Sequence, residues 1–381
     1  MDINEVISPP FDVVSPKQAQ SLKSRKYNIT HLTLPDTTNL DRVRDMFALW
    51  KSNGILERSG KDIVIVVDQT YMKDGWKKRL TGLIALVNII PDDGTVRPHE
   101  LTFKGPVEER VRIMGALDAQ LEPIYLAVDS DNIETMLRRV IFSKRPDINF
   151  TDLAGTENSI YFIQENENIN AIKGALEHCN AIVADGHHRL AATRRLAEET
   201  SGYSHSFWSK IMAYIVPLSS DGLMVGGIHR CIMSGTKFSN AIPELSRHMI
   251  VRGAEGPDPE SPLNVYDGQW YSIRLRDGYC AKYPDNCLSS IHMLNEILLR
   301  DAMHFNPSDY SNKVHYTHDL REAVNYVNDG NADFCVIMPE WDRNNLLELI
   351  ERYGVLPQKS TYFYPKISSG IALNCLVPSD H

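Results

Sequence analysis

The chain has 381 residues, 43% of them hydrophobic and 23% charged, which is ordinary for a globular protein and enough for two domains. Its net charge of −9 repels phosphate backbones, so wholesale nucleic-acid binding is disfavoured, although a local basic pocket remains compatible with it. None of its six cysteines forms a C-x-x-C pair, which argues against a zinc knuckle or a thioredoxin-type site.

The start, Met1-Asp2-Ile3-Asn4-Glu5, lacks the basic residues and apolar run of a secretory signal. No stretch approaches the ~20 apolar residues that span a bilayer. A cytoplasmic protein with free thiols and no membrane partner is expected.

In chain order, Ile63 to Val67 is a short β-branched run that reads as a buried strand. Leu83 to Ile90 is another, followed by the turn residues Asp92-Asp93-Gly94. After Gly105-Pro106, Val107, Val111, Met114 and Leu117 recur every three or four positions, which predicts one face of a helix. Ile124 to Val128 and Ala181 to Ala184 return as strands. A helix rich in Ala, Leu, Arg and Glu is predicted over Arg189 to Glu199, and a strand over Ile211 to Val216. Gly253 to Pro262 reads as a loop or a domain seam. Beyond it, Trp270 to Ile273 and Phe334 to Met338 are expected strands, and Asp342 is placed to cap a helix that ends near Gly354. The alternation reads as α/β or α+β with a mixed sheet.

The sharpest local feature is Ala184-Asp185-Gly186-His187-His188-Arg189-Leu190. An apolar strand runs into Asp-Gly and a helix begins at once. Gly186 permits a tight turn and a close ligand approach. The first helical turn offers unpaired N–H groups and a positive dipole end, both suited to phosphate. His187, His188 and Arg189 add donors there, and Asp185 can hold Mg²⁺ or orient a histidine. An Asp-capped helix with two surface histidines accounts for the same letters about as well.

The second feature is Arg97-Pro98-His99-Glu100. A carboxylate beside an imidazole can take a proton from a hydroxyl nucleophile, whereas a solvated loop is the plainer account. Phe103 stands where H-E-x-x-H needs its second histidine, so a metalloprotease helix is excluded. The third feature is Pro357-Gln358-Lys359-Ser360-Thr361, a lysine with two hydroxyls that can clamp a carboxylate or phosphate, or can simply be an exposed loop. The chain has no G-x-x-x-x-G-K-[ST] and no G-x-G-x-x-G, so a nucleotide enzyme here needs another cradle.

Several ordered motifs together resemble a known family, long described as a domain of unknown function. They are Pro9-Pro10-Phe11-Asp12-Val13, Asn28 to Leu32, Thr81 to Ala85, Pro98-His99-Glu100 with Gly105-Pro106, Asp185 to Arg189, Pro357 to Thr361, and Phe363-Tyr364-Pro365-Lys366 with Gly370. That family is similar to the archaeal free-serine kinase of the ParB/sulfiredoxin-like superfamily.

The resemblance implies an α+β fold, with a mixed-sheet nucleotide-binding core and a second α/β domain at the C-terminus. Domains are expected at 1–235, including an N-terminal extension of about 1–80, and at 236–381. The implied activity is phosphoryl transfer from ATP or ADP, with Mg²⁺, to the hydroxyl of free L-serine or a similar compound.

Glu100 would be the catalytic base, with His99 and Asp185 beside it. Asp185, Gly186, His187, His188 and Arg189 would hold the nucleotide phosphates. Lys359, Ser360 and Thr361 would face the amino acid. Two rivals belong to other classes: a nucleotide-dependent ParB-like switch, and a metal-dependent hydrolase with His99, Asp185, His187 and His188 as ligands.

Overall fold

The computed structural model describes residues 2–73, 75–130, 132–276, 290–306, 309–341, 350, 356 and 359–376. The chain divides into two compact units, Met1–Met224 with Phe363–His381, and Val225–Tyr362.

The first unit is built on eight strands: β1 (Val64–Lys73), β2 (Trp76–Asn88), β3 (Val96–Arg97), β5 (Ile124–Val128), β6 (Ile148–Thr151), β7 (Glu157–Ile163), β8 (Ala181–Asp185) and β9 (Lys210–Pro217). A two-residue strand β4 (Ala119–Gln120) stands outside this sheet. The order across it is β3-β8-β5-β9-β2-β1-β7-β6. The β3/β8 and β5/β9 pairs are parallel and the others antiparallel, so the sheet is mixed.

The helices are α1 (Pro16–Lys23), α2 (Thr30–Thr33), α3 (Leu40–Ser52), α4 (Lys104–Leu117), α5 (Ile133–Ile141), α6 (Asn166–Leu176), α7 (His187–Glu199) and α8 (Gly202–Trp208). In α5 the buried residues Ile133, Leu137 and Ile141 fall on one stripe at intervals of four, the spacing that lets a helix cover a sheet. They join Val66, Leu83, Leu126, Val183 and Ala213 in one apolar core.

Most of the predicted elements are present. The Leu83 strand is the second half of a 13-residue strand that begins at Trp76. Its first half carries Lys77, Lys78 and Arg79 on a largely exposed hairpin arm, where no apolar run betrays it. Gly82 shows why the Thr81–Ala85 motif needs a glycine. A Cβ there would lie 2.6 Å from the Tyr214 ring and 2.8 Å from the Ile215 carbonyl oxygen on β9.

The amino-terminal segment is part of the first unit. Ile29, Leu32, Val43, Phe47 and Trp50 form a second core with Ile113 and Leu117 of α4. Within it the fully buried Asn28 is a bracket. Its amide donates to the carbonyls of Ile7 at 2.8 Å and Glu5 at 3.2 Å, and its oxygen accepts from the Thr30 N–H and hydroxyl.

Within β10 (Met224–Gly227) the chain passes into the second unit. There β11 (His229–Ile232), β12 (Met249–Ala254), β13 (Leu263–Tyr266), β14 (Trp270–Leu275), β15 (Val314–Thr317) and β16 (Phe334–Ile337) form a sheet in the order β12-β14-β13-β16-β11-β15. Every pair in it is antiparallel, so this unit is α+β and not the α/β domain expected. Parallel pairing needs crossover connections, and hairpins such as β13–β14 take their place. The Gly253 to Pro262 stretch contains the end of β12 and the link to β13, and no unit boundary. The helix expected after Asp342 lies outside the described residues, as do Pro357, Gln358, Cys280 and Cys287. Cys179, Cys231, Cys335 and Cys375 are free. Among the described residues no helix is long and apolar enough to cross a membrane.

Candidate active site

The Asp185–Arg189 segment is the β8-to-α7 turn. β8 is buried along its apolar length and delivers Asp185 to the end of the strand. Gly186 follows at φ +91°, a left-handed conformation that costs a residue with a Cβ dearly and glycine little. A Cβ on Gly186 would stand 2.8 Å from Ile124 and 3.1 Å from Arg189 Nε. The 13-residue α7 then starts with no side chain capping it, so its leading N–H groups and its positive dipole end face this turn.

Asp185 is an ion-pair hub. Its Oδ2 lies 3.3 Å from Arg189 Nη2 and 3.5 Å from Lys366 Nζ. Burial pushes the carboxyl upward, but Lys366, then Arg189 and His187, outweigh it and hold Asp185 well below the usual carboxylate range. Arg189 is buried and turned inward. Its Nη1 donates to the Pro123 carbonyl, its guanidinium carbon lies 5.7 Å from the centre of the Phe11 ring, and its Nε–H has no partner among the described residues.

Glu122, Pro10 and Ser369 line the same crevice as Asp185, Arg189 and Lys366. Glu122 is buried, which raises its carboxyl pKa against the opposing pull of Arg189 and the Ser369 hydroxyl. That hydroxyl donates a hydrogen bond to Glu122 Oε1.

The structure brings the Pro98–Glu100 motif to this turn. The His99 N–H donates to His187 Nε2 at 3.4 Å, and the two imidazoles meet edge to face with centroids 4.9 Å apart. The Phe103 N–H donates to His188 Nε2 at 3.2 Å. Glu100 Oε1 lies 3.8 Å from His99 Nε2, and its side chain keeps 13% of its surface exposed.

Burial pushes both His99 and His187 down to about 4, in His187 with the His99 ring adding to the effect. Both rings are therefore neutral at pH 7, and the Glu100–His99 contact is not an ion pair there. Unfolded histidines titrate near 6.5, so between about 6.5 and about 4 the unfolded chain binds protons that the folded chain refuses. Stability should be full above pH 6.5 and fall as pH drops toward 4. Denaturant midpoints across that window check this, and His187→Gln should flatten part of the slope.

Glu100, His99, Asp185, Gly186, His187, His188 and Arg189 thus gather in the first unit through these contacts. Lys359, Ser360 and Thr361 belong to the second unit. There Lys359 sits at φ +59° with its carbonyl accepting from Arg230, the Ser360 carbonyl accepts from the Trp341 indole, and Ser360 and Thr361 are buried.

Sequence reasoning missed two residues. Lys366, the lysine that does meet Asp185, stands in the Phe363–Lys366 motif, so the resemblance marked its position without a role. Glu122 carries no local signal beyond a carboxylate placed before a strand.

No curated protein matches the chain. Solved structures similar to it include a conserved hypothetical protein from Pyrococcus furiosus, at 14% identity over 75% of this chain and 93% of that one, with a TM-score of 0.39. A free serine kinase in complex with AMP matches at 14% identity over 74% of this chain and 86% of that one, TM-score 0.39. SbnI with a C-terminal truncation, from Staphylococcus aureus, matches at 12% identity over 77% and 87%, TM-score 0.41. Similarity at these levels assigns neither ligand nor activity. The model of the family described as Protein of unknown function (DUF1015) matches residues 1–297, well over half of the chain, and the chain belongs to that family.

Proposed function

We propose that the chain is a nucleotide-dependent small-molecule kinase, which moves a phosphoryl group from ATP or ADP to the hydroxyl of free L-serine or a similar compound. The observation that carries this reading is the Gly186 turn. There Arg189 Nε, a buried donor with no partner among the described residues, lies close against the left-handed Gly186, at the uncapped start of a 13-residue helix. Backbone amides, a helix dipole and a guanidinium gathered at one turn suit an anionic phosphate.

Asp185 to Arg189 form the phosphate cradle in this reading, and Asp185 also keeps the Arg189 guanidinium and the Lys366 ammonium in place. Glu100 is the base. The acceptor oxygen attacks phosphorus, its proton passes to Glu100, and the bond from phosphorus to the nucleotide's bridging oxygen breaks. Positioning and positive charge supply most of the catalysis of such a transfer. Lys359, Ser360 and Thr361 are assigned to the amino-acid substrate. The ParB/sulfiredoxin-like ancestry implied by the motifs belongs to the same proposal.

The chain's own residues do not fit a resident Mg²⁺. Asp185 Oδ2 already faces two cations, and among the described residues no group of three His, Cys, Asp or Glu side chains is placed to hold a metal. Magnesium enters this reading as the counter-ion of the nucleotide, and no step is routed through it. The hydrolase alternative is disfavoured for a related reason. His187 and His188 each spend the Nε2 lone pair on a backbone N–H, which leaves those nitrogens unable to ligate a metal.

The test is phosphorus NMR of the protein with Mg²⁺, ATP or ADP, and a panel of hydroxy amino acids. A new phosphomonoester, O-phosphoserine above all, is expected. Nucleotide hydrolysis alone, or no turnover with any acceptor, overturns the reading.

A further inference from the structure

Behind Arg189 three stretches of chain meet that are remote in sequence. The first is the amino-terminal strap, residues 8–13. The second is Glu122-Pro123, between β4 and β5. The third is the tail around Ser369. Ser8 and Ser369 exchange backbone hydrogen bonds at 3.1 and 2.8 Å. Glu122 lies at the centre. Its Oε1 accepts from the Phe11 N–H at 3.1 Å and from the Ser369 hydroxyl.

The next residue, Pro123, gives its carbonyl to Arg189 Nη1. The Phe11 ring so anchored lies 4.3 Å from the guanidinium carbon of Arg110 and 5.7 Å from that of Arg189, within cation–π range of both. A cavity of about 20 Å³ separates Arg110, Glu122 and Arg189, with Gln120 on its wall.

We propose that Glu122 is a positioning residue. It fastens the amino-terminal strap behind Arg189, so that the Phe11 ring and the Pro123 carbonyl hold the guanidinium in place at the Gly186 turn. The strap is then a working wall of the site and not a cover laid over it. Arg110 closes the far side, its Nη1 on the Thr33 carbonyl at 2.9 Å.

The charged groups around Glu122 are Arg189, Arg110 and Asp12. Burial favours its neutral form, so a glutamine, which keeps an oxygen in the same place, should mimic it closely. The holding of Arg189 in place for phosphate rests on the nucleotide reading above. The fastening of the strap does not.

The experiment compares wild type with Glu122→Gln, Glu122→Ala and Phe11→Leu. It measures ADP and ATP binding by calorimetry, and amide hydrogen exchange over residues 8–13. Glu122→Gln should stay within about threefold of the wild-type affinity, because its carbonyl still accepts both hydrogen bonds. Glu122→Ala and Phe11→Leu should each weaken the nucleotide by about tenfold or more.

Exchange should accelerate in Glu122→Ala only, since Phe11→Leu keeps the donating amide. Wild-type affinity in Glu122→Ala sinks the proposal. So does an equal loss in Gln and Ala variants with strap exchange unchanged. Should Glu122→Ala fail to fold, the contrast between Glu122→Gln and Phe11→Leu decides. If wild type itself binds no nucleotide, the proposed function and the positioning role fall together, and the exchange data alone judge the fastening.

Discussion

Glu100→Gln should lower turnover by roughly 10²- to 10⁴-fold, the range typical of a lost general base. Two features of its setting sharpen this expectation. The side chain is only 13% exposed, so little water is available to replace it as proton acceptor. Its neighbour His99, 3.8 Å away and fully buried, is neutral at pH 7 and neither cancels the Glu100 charge nor competes as an acid. Gln keeps the size and the hydrogen-bonding oxygen while removing the basicity, so nucleotide affinity should change little. Steady-state turnover in the phosphomonoester assay, set beside calorimetric nucleotide binding, separates the two effects. Full turnover in the variant means that Glu100 does not accept the proton. Loss of binding in step with turnover means that it holds nucleotide.

The largest effect on stability should come from Asp185→Asn. The substitution leaves the Lys366 ammonium and the Arg189 guanidinium facing an amide in a largely enclosed place. Removing one member of a buried charge cluster costs about 3–5 kcal/mol, because the remaining charges lose their compensation. Chemical denaturation at neutral pH reads this as a lower midpoint with an unchanged slope.

The pH dependence follows from the direction of the Asp185 shift. Its carboxyl is harder to protonate in the folded chain than in the unfolded one. The stabilisation is therefore complete above the ordinary carboxylate pKa and is lost as pH falls below it toward the depressed folded value. In Asp185→Asn that acid-side loss should be absent, while the histidine-linked loss at milder acidity stays. A variant as stable as wild type would show that the two cations find other partners at no cost.

Several elements with an apolar face were legible, though not all: the stripe of α5 was not read. The β-branched run near Val64, the Ile124 and Ala181 strands and the Val107–Leu117 periodicity all became elements of the first unit. The charged arm of β2 was not legible, because an exposed hairpin arm satisfies its backbone by pairing and needs no apolar pattern. The antiparallel sheet of the second unit was also hidden. Strand direction depends on how strands are connected and paired, and single runs of residues carry neither.

For the candidate site the division is similar. The letters Asp185-Gly186-His187-His188-Arg189 by themselves pointed to a tight strand-to-helix turn, since only glycine takes φ +91° there cheaply, whereas that Asp185 does not cap the helix came from the structure. Tertiary structure alone decided the electrostatics. It set Lys366 against Asp185, brought Phe11 and Glu122 behind Arg189, and buried His99 and His187 until both lost their charge. Turn geometry is a local property of the backbone. Charge state and partner choice depend on distance and burial, and those are created only when segments remote in sequence are packed together.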